Sequence, residues 1–116
     1  MSRKSRHFWA FHEVLEKTLF QFGWIGEWRE AIKHHQITAI IDLDGNLSQP
    51  LPSLRAFLSW PISDTSLPHM PTAWSIARFA VELISSGERV AFACFAGEKR
   101  SLWMSGLCLR EMGLGD

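Results

Sequence analysis

An excess of charge of either sign is missing from this 116-residue sequence, in which twelve Lys and Arg offset twelve Asp and Glu. Proteins that bind nucleic acid or anionic membranes carry a basic footprint. Here only the opening "SRKSR" is basic, and residues 1–6 read as a solvated tail. No apolar run approaches the roughly 20 residues of a spanning helix. The N-terminal stretch is broken by His7, His12, Glu13 and Glu16, unlike a secretory signal. The expectation is a cytoplasmic protein with neither nucleic acid nor membrane as partner. Cysteine is scarce too. Cys94 and Cys108 cannot form a disulfide framework and fit a reducing compartment. There is no Cys-x-x-Cys, and the adjacent His34 and His35 lack ligand spacing, so neither metal nor cofactor is expected. Internal repeats, low-complexity segments and linkers are absent as well. With 47% hydrophobic and 21% charged residues, the composition is that of one small globular domain covering residues 1–116.

The pattern that is present alternates strands with helices. Phe8, Phe11, Leu15, Leu19 and Phe22 recur at three and four residues and predict an amphipathic helix over 8–22, ending near Gly23. Trp28, Ala31 and Ile32 share a face of a short helix over about 26–35, which makes residues 7–36 an N-terminal helical cover. "ITAIIDL" (37–43) reads as a buried strand stopped by "DGN". "LRAFLSWPI" (54–62) reads as a weaker strand closed by Pro61, and "SDTSLPHMP" as a loop. A largely buried helix follows over 72–86, with Thr72 as N-cap and Gly87 as stop. "RVAFACF" (89–95) is a second buried strand and "SLWMSGLCLREMG" (101–113) a last helix. This order predicts an α/β fold: a small, mostly parallel central sheet flanked by helices, with a catalytic core over 37–113.

"CFAGEKRS" (94–101) lies between the last strand and the last helix, where open α/β sheets bind ligands. Successive amides of Phe95, Ala96, Gly97, Glu98, Lys99 and Arg100 would line an anion cradle closed by a helix N-terminus. Gly97 frees the backbone, and Arg100 offers a planar fork to two phosphate oxygens. At the floor, Cys94 would feel the same field, which favours its thiolate and makes it a nucleophile. Cys108, seven residues into the helix, reads as a core thiol out of reach of Cys94.

From its cysteine onward this stretch resembles the signature H-C-x-x-G-x-x-R-[ST] of the cysteine-based protein tyrosine phosphatases, and its surroundings resemble the small dual-specificity phosphatases. "WPISD" sets Asp64 thirty residues before Cys94, similar to the family's acid loop, and "IIDLDG" resembles its upstream strand. The resemblance covers about residues 37–113. It implies a phosphocysteine on Cys94, phosphate clamping by Arg100, stabilisation of the leaving thiolate by Ser101, and general acid catalysis by Asp64. The implied substrate is a phosphorylated protein or a small phosphorylated molecule, taken by a monomer or homodimer without metal.

Two positions depart from the family. Ala93 stands where the family has histidine, which keeps open a phosphate-binding module with attenuated chemistry. The sequence also ends at Asp116, soon after the signature helix, where the family adds further helices. The expected helix at 8–22, or a dimer partner, would then cover the exposed sheet face. Two other readings remain. "IIDLDGNL" resembles the Mg²⁺-dependent haloacid dehalogenase motif, with Asp42 as nucleophile and Asp44 as acid, although Asn46 departs from it and no paired-aspartate motif follows. A rhodanese-type sulfurtransferase also builds on a cysteine loop, but that loop usually places four residues between Cys and Arg, against five here.

Overall fold

Two apolar runs, "IIDL" and "VAFAC", form the middle of the molecule because strands buried on both faces need no polar alternation. The structure, a computed structural model, describes residues 7–45, 51–63 and 68–114. In chain order the elements are β1 (Phe11–Leu15), β2 (Leu19–Gly23), α1 (Trp28–His35), β3 (Ala39–Asp42), β4 (Ala56–Ser59), α2 (Met70–Ser85), β5 (Val90–Cys94) and α3 (Lys99–Glu111). They form a single α/β domain around a five-stranded sheet of order β1-β2-β5-β3-β4. The β2/β5, β5/β3 and β3/β4 pairs are parallel, and β1/β2 is antiparallel. The expected mostly parallel sheet flanked by helices is therefore present, and the expected strands and later helices lie within a few residues of their predicted spans.

Strand parity divides the core in two. Leu19, Ala39, Ile41, Val90, Phe92 and Cys94 face one side, under α2 and α3, where Ala73, Ala77 and Ala80 meet Met104, Leu107 and Cys108. Phe20, Phe22, Ile40, Ala91 and Ala93 face the other side, covered by Ile32 of α1 with Leu51, Leu54 and Phe57.

The helix expected over 8–22 is corrected: this segment is a β-hairpin. Its apolar positions do fit a helical stripe, but that stripe leaves Phe20 on the polar side. In the hairpin Phe20 and Phe22 are both fully buried, and Lys17 takes the positive φ of 57° at the turn. β2 then pairs along its whole length with β5, a tertiary gain that local periodicity does not register. The segment thus extends the sheet, and the second face is covered by α1 and the stretch before β4. Two boundaries also move. α2 starts at Met70 with His69 as N-cap rather than Thr72, because Pro71 tolerates the first turn, while Gly87 (φ 94°) ends it as expected. α3 starts at Lys99, which places Lys99 and Arg100 in its first turn.

The hairpin packs on α1 through a ring cluster in which His35 stacks on Phe11 at 4.8 Å and lies 5.2 Å from Phe20. Burial holds the His35 imidazole below its usual 6.5. Glu13 opposes that shift, while His34 and Arg89 add to it. The unfolded chain therefore takes up this proton more readily than the folded one. The stability that neutral His35 contributes is whole above about pH 6.5 and is lost as pH falls from there through the folded-state value. Urea midpoints measured from pH 7.5 to 5 should fall, and His35→Phe should flatten that fall. An unchanged slope in the variant would count against this assignment.

Candidate active site

The C-terminal ends of β2, β5 and β3 converge on the stretch that the sequence marks. Cys94 is the last residue of β5 and 2% exposed, at the floor of the loop Phe95–Glu98. The loop turns at Gly97, whose φ is 76°. It also passes so close to the end of β2 that a Cβ on Gly97 would lie 2.4 Å from the Gly23 nitrogen. The reverse holds as well: a Cβ on Gly23 would lie 2.4 Å from the Ala96 carbonyl carbon. The chain after β2 continues this support. The amides of Trp24 and Ile25 donate to the carbonyls of Cys94 (2.9 Å) and Phe95 (3.1 Å), and the buried Gln21 side-chain amide donates to Gly97 O at 3.4 Å.

With the carbonyls drawn backward, the amides are left on the other side. Among the described residues, the N–H groups of Phe95, Ala96, Gly97, Glu98 and Lys99 donate to no backbone carbonyl. They sit at the positive end of the 13-residue α3, an arrangement suited to an anion. Ser101, fully buried one half-turn into α3, places its Oγ 3.1 Å from Cys94 Sγ and 3.4 Å from the Phe92 carbonyl. Cys108 is buried in the core, and burial pushes its thiol up to about 11, so it has the character of an inert packing residue.

Arg100 has one nitrogen held by the ends of the neighbouring strands. Its Nη1 donates to Asp44 Oδ1 (2.9 Å) and to the carbonyls of Ile62 (3.1 Å) and Leu43 (3.3 Å). The structure therefore brings together Cys94, Ser101 and the loop Phe95–Arg100, with the guanidinium bridging to the ends of β3 and β4. Asp64 lies outside the described residues.

Asp42 does not have the setting of a nucleophile. It is fully buried, and its Oδ1 accepts from Trp24 Nε1 (3.0 Å) and the Asp44 amide (3.0 Å), so it caps the turn after β3. Asp44 belongs to Arg100. The haloacid dehalogenase alternative therefore loses both of its carboxylates to structural duties. Ala93, paired in register with Phe22 and Asp42, is fully buried among Phe20, Phe22 and Ile40. An open cavity of about 600 Å³ lined by Arg29, Lys33 and Thr38 lies toward the opposite end of the sheet. It has neither a thiol nor a carboxylate in its lining.

Sequence reasoning missed Gly23, Gln21, Trp24 and Ile25 as parts of the site. The glycine before "WIGE" was visible, but the helical reading of 8–22 turned it into a helix stop.

No protein-family model and no curated protein matches the chain. Solved structures do. DUSP15 superposes with a TM-score of 0.77 at 20% identity, over 88% of this chain and 65% of that one. OH1 from the Orf virus, described as a tyrosine phosphatase with triple substrate specificity, gives 0.73 at 9% identity, over 90% and 61%. TpbA of P. aeruginosa in complex with phosphotyrosine gives 0.70 at 12% identity, over 99% and 75%. The fold is thus that of the small dual-specificity and tyrosine phosphatases. The chain spans less than two thirds of the length of the DUSP15 and OH1 structures.

Because a Cβ at position 23 would collide with loop backbone rather than with a flexible side chain, Gly23→Ala should push the loop out of shape. We expect a stability loss of about 1–3 kcal/mol from overpacking, with sulfate binding reduced at least tenfold. Urea titration and calorimetry measure the two. A Gly23→Ala protein that binds sulfate like the wild type would mean that this contact does not shape the cradle.

Proposed function

We propose that this chain is a metal-independent phosphomonoesterase that works through a phosphocysteine on Cys94. The observation that carries the reading is the Ser101 hydroxyl 3.1 Å from Cys94 Sγ beneath a loop of inward amides. A hydroxyl there can donate to a sulfur that carries negative charge before attack and again when it leaves phosphorus. A structural thiol has no need of that partner. The fold neighbours, one of them holding phosphotyrosine, support the same reading.

In the proposed cycle the phosphoryl oxygens sit on the amides of 95–100 and the Cys94 thiolate attacks phosphorus in line. The ester oxygen departs with its electron pair and takes a proton from Asp64. Water then attacks the phosphocysteine, Asp64 accepts the proton, and the thiolate departs toward Ser101. Arg100 gathers charge on the equatorial oxygens. Phosphotyrosine with phosphoserine or phosphothreonine in proteins is the substrate class proposed, acted on in the cytoplasm, and small phosphorylated molecules fit the same chemistry.

Two observations favour a second reading, a phosphate-binding module with attenuated turnover. Ala93 supplies no polar group beside Cys94, and Nη1 of Arg100 is held by the Asp44 carboxylate. Activity separates the two readings. Native protein should hydrolyse an aryl phosphate in the presence of EDTA, and Cys94→Ser should abolish hydrolysis. Activity that requires Mg²⁺ and survives this change would overturn the mechanism.

Rapid quench divides the two half-reactions. Ser101→Ala should slow breakdown of the phosphocysteine by about 10²-fold, the scale for losing one charge-stabilising donor, so that the intermediate accumulates in a burst. Asp64→Asn should instead slow its formation from esters with poor leaving groups by about 10²–10⁴. A Ser101→Ala enzyme with no burst and unchanged turnover would remove Ser101 from the cycle. Protein that binds oxyanion yet never yields phosphocysteine would leave the binding module standing.

A further inference from the structure

Arg100, in the first turn of α3, meets a carboxylate at the end of β3. Its Nη1 and Asp44 Oδ1 are 2.9 Å apart, with 14% and 21% of the two side chains exposed. At that burial solvent screens the pair only in part. Asp44 is in turn held by the fold. Its amide donates to Asp42 Oδ1, and Asp42 is fully buried beneath the Trp24 indole. The end of β3 therefore presents a carboxylate at a fixed place beside the cradle, and the same guanidinium nitrogen is shared with the carbonyls of Leu43 and Ile62.

We propose that Asp44 is a specificity-determining residue of the oxyanion site: its carboxylate competes with the incoming phosphoryl group for Arg100 and so sets how strongly the cradle holds a dianion. The inference rests on the reading of residues 94–101 as a phosphate site. Two effects act in the same direction. The carboxylate neutralises the guanidinium, and it repels a second anion drawn to that guanidinium. The loop amides and the α3 terminus attract either kind of anion, whereas the Asp44 carboxylate repels a dianion about twice as strongly as a monoanion at the same distance. Asp44 therefore discriminates against dianions more than against monoanions. A carboxylate that merely aimed Arg100 at the cradle would have the opposite signature, since removing it would weaken binding.

Asp44→Asn separates charge from shape, because the amide oxygen can still accept from Nη1. Calorimetric titration with inorganic sulfate, a dianion throughout the neutral range, should give binding about tenfold tighter in Asp44→Asn than in the wild type. Asp44→Glu, which keeps the charge, should stay within about twofold of the wild type. Thermal melts check that the variants are folded. If Asp44→Asn is not, Asp44→Ser removes the same charge and should show the same gain. Equal or weaker sulfate binding in a folded, charge-removed variant overturns the inference. The parent reading fails separately: wild-type sulfate binding that is indifferent to Arg100→Met, or no binding to either protein, would remove the phosphate site itself.

Discussion

The contact between Gly23 and Gly97 fixes the geometry on which the rest of the site depends. Neither residue tolerates a Cβ: on Gly97 it would lie 2.4 Å from the Gly23 nitrogen, and on Gly23 it would lie 2.4 Å from the Ala96 carbonyl carbon and 2.7 Å from the Gly97 nitrogen. With the loop pressed against the end of β2, the carbonyls of Cys94 and Phe95 are taken by the Trp24 and Ile25 amides. A peptide plane whose carbonyl is held on one side presents its N–H to the other. The inward amides follow from the backward carbonyls, and the left-handed turn at Gly97 lets the chain enter α3 with Ser101 beneath Cys94. The N-terminal hairpin is thus a wall of the site rather than a cover laid over the sheet.

Ala93 has the same origin. It lies beside Phe22 and Asp42 in the β2-β5-β3 register, in a layer filled by Phe20, Phe22 and Ile40. An imidazole there would need room that this layer lacks, at a cost of about 1–3 kcal/mol. The polar link across this layer is instead the Trp24 indole on Asp42. The histidine of the resembled signature is therefore not a single missing side chain. Its place has been absorbed into an aromatic packing scheme that also anchors the turn carrying Asp44.

What was legible in the sequence was whatever the chain encodes locally. "VAFAC" followed by a loop glycine and a helix announced the cradle, and the structure places Cys94, Gly97 and Ser101 together there. The β-branched "TAII" announced a central strand. The hairpin was not legible, because Phe8, Phe11, Leu15, Leu19 and Phe22 satisfy a helical period. The competing evidence, pairing of β2 with a strand some seventy residues later, is tertiary. That one misreading hid Gly23 and Gln21. The partner of Arg100 was hidden for a different reason. An aspartate after a strand says nothing of which cation will reach it, and Asp44 meets Arg100 only because β3 and β5 are neighbours.

The two ends of the parallel strands are built unlike each other. At the N-terminal end Thr38 bonds Glu88 and the Arg89 amide, Arg55 pairs with Glu88, and Arg89 reaches the His35 carbonyl, so these loops are tied to one another side chain by side chain. At the C-terminal end the Trp24 indole bonds Asp42, the Trp60 and Ile62 amides donate to the carbonyls of Asp42 and Leu43, and a guanidinium adds a further tie. Arg100 joins α3 to the turns after β3 and β4, and its contact with the Ile62 carbonyl is two residues before Asp64. An anion that drew Nη1 of Arg100 toward the cradle would loosen Asp44 and the Ile62 carbonyl together. In the proposed reaction, filling the phosphate site and setting the approach of the acid-bearing segment are then linked through a single side chain.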